Sequence, residues 1–293
     1  MRLTDLIKIG KETISALYPE REASEMVFAY LEEAIGTKRH THIVEPEYEI
    51  SPEKVESILK DFDRMAAGEP LQYVVGKAWF YGRGFNVTSD VLIPRPETEV
   101  LCNRVINRSY ATHESKVLDM CTGSGCIAWT LALEIPTAEV TAVDISDGAL
   151  KIASTQDFSE ETSRTGAKSP VFIKADVLQA PEISLGESEG FDIIVSNPPY
   201  VMDKEKALMR KNVLDHEPHL ALFVADDDPL IFYRAVAQWA TKLLKKGGYG
   251  LVEINEALGE QTADVFRAAG FTEVSVVKDL SDRDRFVEFT RIS

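Results

Sequence analysis

The stretch VLDMCTGSGCIAWTLAL, residues 117–133, decides the fold. It opens with a short apolar run, passes through Cys121, Thr122, Gly123, Ser124 and Gly125, and continues as a long uncharged apolar segment. Small residues from 121 to 125 let the chain turn tightly and let a ligand approach the backbone. A helix starting near Gly125 points its free N–H groups at such a ligand. Strand, small-residue turn and helix in that order form the opening unit of a doubly wound sheet.

The residues around this unit extend the pattern. KVLDM (116–120), AEVTAVDI (138–145), PVFIKAD (170–176), FDIIVSN (191–197) and GGYGLVEI (247–254) are short apolar runs separated by helical stretches, as in a mostly parallel sheet. FTEVSVVKD (271–279) and RFVEFTRI (285–292) follow with only a short turn between them, which predicts an antiparallel pair at a mixed sheet edge. The fold class is therefore α/β, a Rossmann-like domain with a mixed sheet. SLGESEG (184–190) is expected to be a surface loop.

Upstream the texture is helical. Ala23, Met26, Val27, Tyr30 and Leu31 recur at helical spacing, with Gly36 as a stop. Ser51 is a candidate N-cap, Pro52 fits the first helical turn, and Val55, Ile58, Leu59, Phe62 and Met65 line one face as far as Gly68. The aromatics, glycines and β-branched residues that follow predict a hairpin-like stretch, and Pro96, Glu97 and Glu99 suit the start of a new helix. The expected division is a helical domain over 1–75, a hairpin-like linker over 76–98 and an α/β domain over 99–293.

Composition narrows the classes. With 44% hydrophobic residues, 293 residues bury a large core, yet no apolar run reaches the roughly 18 residues of a membrane span. The N-terminal segment carries charges throughout and lacks a signal-peptide apolar region. Three cysteines do not make a disulfide framework, so a reducing cytoplasm is expected. The net charge of −16 argues against binding nucleic acid through its phosphates. The first 75 residues hold 9 Lys/Arg against 15 Asp/Glu, so the helical segment is acidic too. A small molecule or a protein is the expected partner, and the chain is expected to act as a monomer.

Asp144 ends the second strand, where an acidic residue grips ribose hydroxyls in nucleotide folds; the alternative is a helix N-cap. A dinucleotide would call for the G-x-G-x-x-G spacing, which the loop lacks. Asp119, before the loop, suits a ligand with an ammonium group, so S-adenosylmethionine is the expected ligand. Asp176 and Val177 close the third strand and are placed to meet its adenine. FDIIVSNPPY (191–200) runs a strand into Asn197, Pro198, Pro199 and Tyr200. Two prolines end ladder pairing abruptly, and strand termination alone would account for them. At the ligand end of such a sheet, however, the Asn197 side-chain oxygen and the Pro198 carbonyl form two rigid acceptors for one NH₂ group. Tyr200 is expected to stack on a planar amide or base.

PLQYVVGKAWFYG, VLIPRPETE, VLDMCTGSGCIA, AVDIS-x2-AL, FDIIVSNPPY and EPHLAL together resemble the protein-glutamine N5-methyltransferase family that acts on peptide chain release factors. The resemblance covers nearly the whole chain from Pro70 and, more loosely, the helical N-terminus. It implies a helical domain that helps dock the release factor, a Rossmann-like methyltransferase domain, and methylation of the glutamine in the release factor's GGQ motif. Carried over by position, Cys121 to Gly125, Asp144, Val177 and Asn197 would contact the cofactor, and Asn197 to Tyr200 would hold the glutamine. Two residues depart from the family pattern. Cys121 stands where Gly is usual, and Gln156 where an Asn often follows the second helix. A Cys in the loop is similar to a sister family that methylates a glutamine of a large-subunit ribosomal protein, which is the first rival reading. An adenine-N6 DNA methyltransferase is a rival of another class, because NPPY also serves base amines; a cofactor-binding scaffold without turnover is a third.

His40-x-His42 and His216-x2-His219 have near-metal spacing but lack further ligands, so no metal is expected. Cys121 and Cys126 are expected to be buried thiols. Asp226-Asp227-Asp228 reads as a solvated loop, while Glu217, Pro218 and Phe80 are candidate walls of the site mouth.

Overall fold

The computed structural model describes residues 1–109, 115–181, 190–279 and 281–292, so residues 184–189 of the expected SLGESEG loop lie outside the described part. In chain order the elements are α1 (Leu3–Ile14), α2 (Glu20–Ile35), α3 (Thr41–Val44), α4 (Pro52–Ala66), α5 (Leu71–Val75), β1 (Lys77–Phe80), β2 (Arg83–Asn86) and α6 (Pro96–Ser109). Next come β3 (Lys116–Met120), α7 (Cys126–Glu134), β4 (Glu139–Asp144), α8 (Asp147–Ser154), α9 (Ser159–Thr165), β5 (Val171–Lys174), β6 (Phe191–Ser196) and β7 (Val201–Met202). The chain ends through α10 (Lys211–His216), α11 (His219–Leu222), β8 (Phe223–Val224), α12 (Ile231–Leu243), β9 (Leu244–Glu253), α13 (Gly259–Ala268), β10 (Thr272–Lys278) and β11 (Asp284–Thr290).

Residues Met1–Lys77 and Met209–His216 form one compact unit. Its core is built from one face each of α1, α2 and α4, with Leu6, Val27, Tyr30, Phe62 and Met65 at its centre. Gly10 permits this packing, because a Cβ there would lie 2.6 Å from the Phe62 ring. Gly36 ends α2 with φ +72°, as a left-handed C-terminal stop requires. Ser51 precedes α4 with an extended backbone, but its side chain makes no capping hydrogen bond; Pro52 and Glu53 carry the start of that helix. An ion pair from Arg210 to Glu22 (2.7 Å) ties the 209–216 segment into this unit.

Residues Ala78–Leu208 and Glu217–Ser293 form the second unit. Its seven-stranded sheet has the order β10-β11-β9-β6-β3-β4-β5. The pairs from β9 to β5 are parallel, and β11 runs antiparallel to both β9 and β10. Successive residues enter two separate apolar clusters: Val117, Ile193, Leu251 and Phe286 one, Leu118, Ile194, Val252 and Val287 the other. This period-two alternation covers both faces of the sheet with helices. α6 and α7 contribute to the first cluster, α12 and α13 to the second. Two differences from the expected division have a packing cause. Phe80 and Phe85 of the hairpin are fully buried in the first cluster, so residues 78–98 belong to this unit's core instead of linking it. Segment 209–216, downstream in sequence, groups with the helical unit.

Candidate active site

The parallel strands β3, β4 and β6 end at one edge, with β3 at the point where strand order reverses. Ligands of open α/β sheets collect there. The loop after β3 is held from several sides. The Thr122 amide donates to the Val143 carbonyl (3.0 Å), and its hydroxyl donates to Asp119 Oδ2 (2.6 Å). The Gly123 amide donates to Asp144 Oδ2 (2.9 Å), and the Ser146 amide donates to Asp144 Oδ1 (2.9 Å). Asp144 is therefore no N-cap: Ser146 caps α8 by accepting from the Ala149 amide. Burial raises the Asp144 pKa against the opposing pull of these amides.

Cys121, Thr122, Gly123, Ser124, Asp144, Asp176, Val177, Asn197 and Pro199 line one cavity, joined by Leu92, Thr98, Pro218 and Phe232. Ser124 Oγ is buried there beside the Cys126 thiol. This donor set fits a nucleoside with a charged tail. Asp144 presents a carboxylate beside a glycine turn, Val177 and Leu92 offer apolar surface, and the α7 N-terminus lies behind the loop.

Other expected site residues stand back from the cavity. Asp119 is fully buried and does not line it; its oxygen Oδ2 braces Thr122. Burial foremost, then the nearby Asp144 charge, push its carboxyl up to about 7. Gly125 is a conformational residue, with φ +79° and a Cβ position 3.0 Å from Ala153 Cβ. Pro198 is buried outside the lining. Phe80 packs edge-on against Phe85 in the core and cannot wall the site. Tyr200 is also outside the lining. Its hydroxyl donates to Glu253 Oε1 (3.0 Å).

Both departures from the family pattern have a structural account. Cys121 has φ +62°, a left-handed conformation that Gly adopts without penalty and a side chain does not. Burial raises its thiol pKa well above the ordinary range and raises that of Cys126 to about 12, so neither is a ready thiolate. Gln156 is buried and fully used. Its Oε1 accepts from the Asn86 amide (2.9 Å), and its Nε2 donates to the carbonyls of Asn86 (2.9 Å) and Ser124 (3.2 Å). It links the end of β2 to the glycine loop.

Sequence reasoning missed two polar residues. Thr98, read as part of a helix start, lines the cavity and donates to Glu253 Oε2 (2.7 Å). Glu253, read as the end of a strand, is 1% exposed. Glu217, a candidate wall of the site mouth, does not line the cavity and is instead an anchor behind it, accepting from the Ile93 amide (3.2 Å) and pairing with Arg95 (2.6 Å). The available signal was a carboxylate closing an apolar strand at the ligand edge. The Asp226–Asp228 run is less free than expected: Asp226 accepts from the Lys204 amide and Asp228 pairs with Arg234. His219 meets Phe223 edge-on and His42 tilts against Phe28. No group of three or more His, Cys, Asp or Glu placed to hold a metal occurs among the described residues.

A family model described as the PrmC N-terminal domain matches residues 5–76, and one described as the methyltransferase small domain matches residues 96–221. The release factor glutamine methyltransferase of Flavobacterium psychrophilum is 36% identical over 283 residues, covering 94% of this chain and 95% of the relative. That of Bacteroides thetaiotaomicron is 36% identical over 281 residues, covering 96% of this chain and 97% of the relative. Among solved structures, the release factor-specific protein-(glutamine-N5) methyltransferase of Alicyclobacillus acidocaldarius shares 30% identity over 71% of this chain and 100% of that chain, with a TM-score of 0.41. With near-complete coverage on both sides at this identity, the chain belongs to the release factor glutamine methyltransferase family.

Proposed function

We propose that this chain transfers a methyl group to the side-chain amide nitrogen of the glutamine in the GGQ motif of peptide chain release factors. The observation that carries the reading is that Asp144 and Asn197, from two different strand ends, line a single cavity beside the glycine loop. S-adenosylmethionine, the methyl donor of the family, supplies an activated methyl on a positively charged sulfur. Asp144 would hold its ribose hydroxyls, Asp176 and Val177 its adenine end, and Ser124 Oγ its polar tail. Asp119 serves indirectly, by fixing Thr122.

An amide nitrogen is a poor nucleophile because its lone pair is delocalised. Asn197 Oδ1 on the cavity wall would accept one of its N–H groups, and the Pro198 carbonyl behind it would accept the other if the bound amide reaches past the lining. Together they would aim its lone pair and stabilise the positive charge that grows on nitrogen. The nitrogen would take the methyl as the donor's sulfur leaves it, and its surplus proton would pass to solvent. Pro199 and Tyr200 keep the acceptors rigid. The helical unit docks the intact protein substrate, so a short GGQ peptide should show a far higher KM than a whole release factor at a similar kcat.

The test is incubation with methyl-labelled cofactor and, separately, release factors, ribosomes and duplex DNA. Label in the release factor is expected. Label confined to a ribosomal protein would establish the rival glutamine substrate, and label in DNA the adenine reading.

A further inference from the structure

We infer that Thr98 and Glu253 are positioning residues that set which way round the Asn197 amide stands. The inference rests on the reading of Asn197 as a substrate acceptor. An Asn side chain has an oxygen end and an NH₂ end of nearly equal size, and only the oxygen can accept from a substrate NH₂. Something must choose between the two orientations. Asn197 Nδ2 lies 3.3 Å from Thr98 Oγ1, and Thr98 Oγ1 lies 2.7 Å from Glu253 Oε2. Glu253 Oε1 meanwhile accepts from the Tyr200 hydroxyl (3.0 Å).

The directions follow from hydrogen counting. A hydroxyl has one proton to give. The Thr98 proton goes to the Glu253 carboxylate, so its remaining capacity toward Asn197 is as an acceptor. Only the NH₂ end of Asn197 satisfies an acceptor, so Oδ1 is left for the cavity. Thr98 and Glu253 are 3% and 1% exposed, which shields this chain of bonds from competing water. The same carboxylate fixes Tyr200, three residues further along, so Glu253 grips the NPPY segment at both ends. α6, the last residue of β9 and the end of β6 thereby converge on one amide.

Two measurements test the inference. In the protein with ¹⁵N-labelled asparagine, the Asn197 side-chain NH₂ (assigned by its loss in Asn197→Ala) should exchange slowly with solvent. Thr98→Val keeps the shape and removes the acceptor; it should lose that protection, and Thr98→Ser should restore it. An unchanged Asn197 signal in Thr98→Val overturns the inference whatever the methyl acceptor is. In turnover of the folded enzyme, Thr98→Val should lower kcat roughly 10²-fold, as a misplaced reacting group does, with cofactor Kd near wild type, and Thr98→Ser should recover most of it. Wild-type kcat in a folded Thr98→Val enzyme also overturns it. Failure of the wild-type enzyme to label a release factor would speak against the proposed substrate alone, and the exchange measurement would still decide the orientation.

Discussion

Asp119→Asn separates a residue that supports the cofactor loop from one that touches the ligand, and its size can be worked out in advance. The Asp119 carboxyl is fully buried, and its pKa rises from 3.8 to about 7. At about 1.4 kcal/mol per unit, the whole displacement amounts to about 4 kcal/mol. Because the folded pKa is raised, the native state keeps a proton that the unfolded chain has already released. Stability therefore falls as pH rises from about 4 to about 7, and the full cost is present above that. Asparagine is neutral at every pH and can still accept from Thr122 through its carbonyl oxygen. Between pH 5.5, safely above the pI of 4.8, and pH 8, Asp119→Asn should gain about 2 kcal/mol relative to wild type, while groups common to both proteins cancel. Urea unfolding followed by tryptophan fluorescence suits the measurement, because Trp79, Trp129 and Trp239 all lie in the α/β unit. Parallel stability-versus-pH curves for the two proteins would refute the reasoning. Cofactor Kd should change by no more than a few-fold; a loss of about two orders of magnitude would return Asp119 to direct contact with the ammonium group.

Asn197→Ala should lower kcat by about three orders of magnitude and weaken cofactor binding only modestly, as titration calorimetry beside initial rates would show. Asn197→Asp keeps an acceptor and should retain more activity than Ala; equal inactivity with bound cofactor would mean the Asn NH₂ has a further essential partner. Cys121→Gly should be more stable than Cys121→Ala by about 1 kcal/mol, because Ala keeps the side chain at φ +62° and Gly does not; equal melting curves would remove the strain argument. Gln156→Ala strands the Asn86 amide and two carbonyls, and should cost about 2–3 kcal/mol in urea unfolding. A neutral result there would show that water replaces the side chain.

The α/β unit was legible because its central strands β3, β6 and β9 are largely buried apolar runs separated by helical stretches. KVLDM coincides with β3, and the last two runs pair antiparallel as their short connection required. The cavity-lining residues from Cys121 to Ser124, with Asp144, Val177 and Asn197, were legible as polar or small groups at strand ends. Depth was not. Phe80, Tyr200 and Asp119 have the right chemistry for a site wall, but whether a side chain faces a cavity or the core depends on partners distant in sequence. Phe80 is buried in a cluster that reaches as far as Phe286, and the Tyr200 hydroxyl is held by Glu253, 53 positions away. Thr98 and Glu253 were missed for the same reason, since 155 positions separate them and neither stands out in its own segment. The role of 209–216 was equally hidden, because its ion pair reaches back to Glu22 across 188 positions.

The central claim is that an Asn197-centred cavity methylates a release-factor glutamine. It is tested most directly by peptide mass spectrometry of a release factor treated with the enzyme and S-adenosylmethionine, in parallel with Asn197→Ala. The account predicts a single methyl on the side-chain nitrogen of the GGQ glutamine with the wild-type enzyme, and none with Asn197→Ala over the same period. A methyl on any other residue, or an Asn197→Ala enzyme that modifies the glutamine at the wild-type rate, would contradict it.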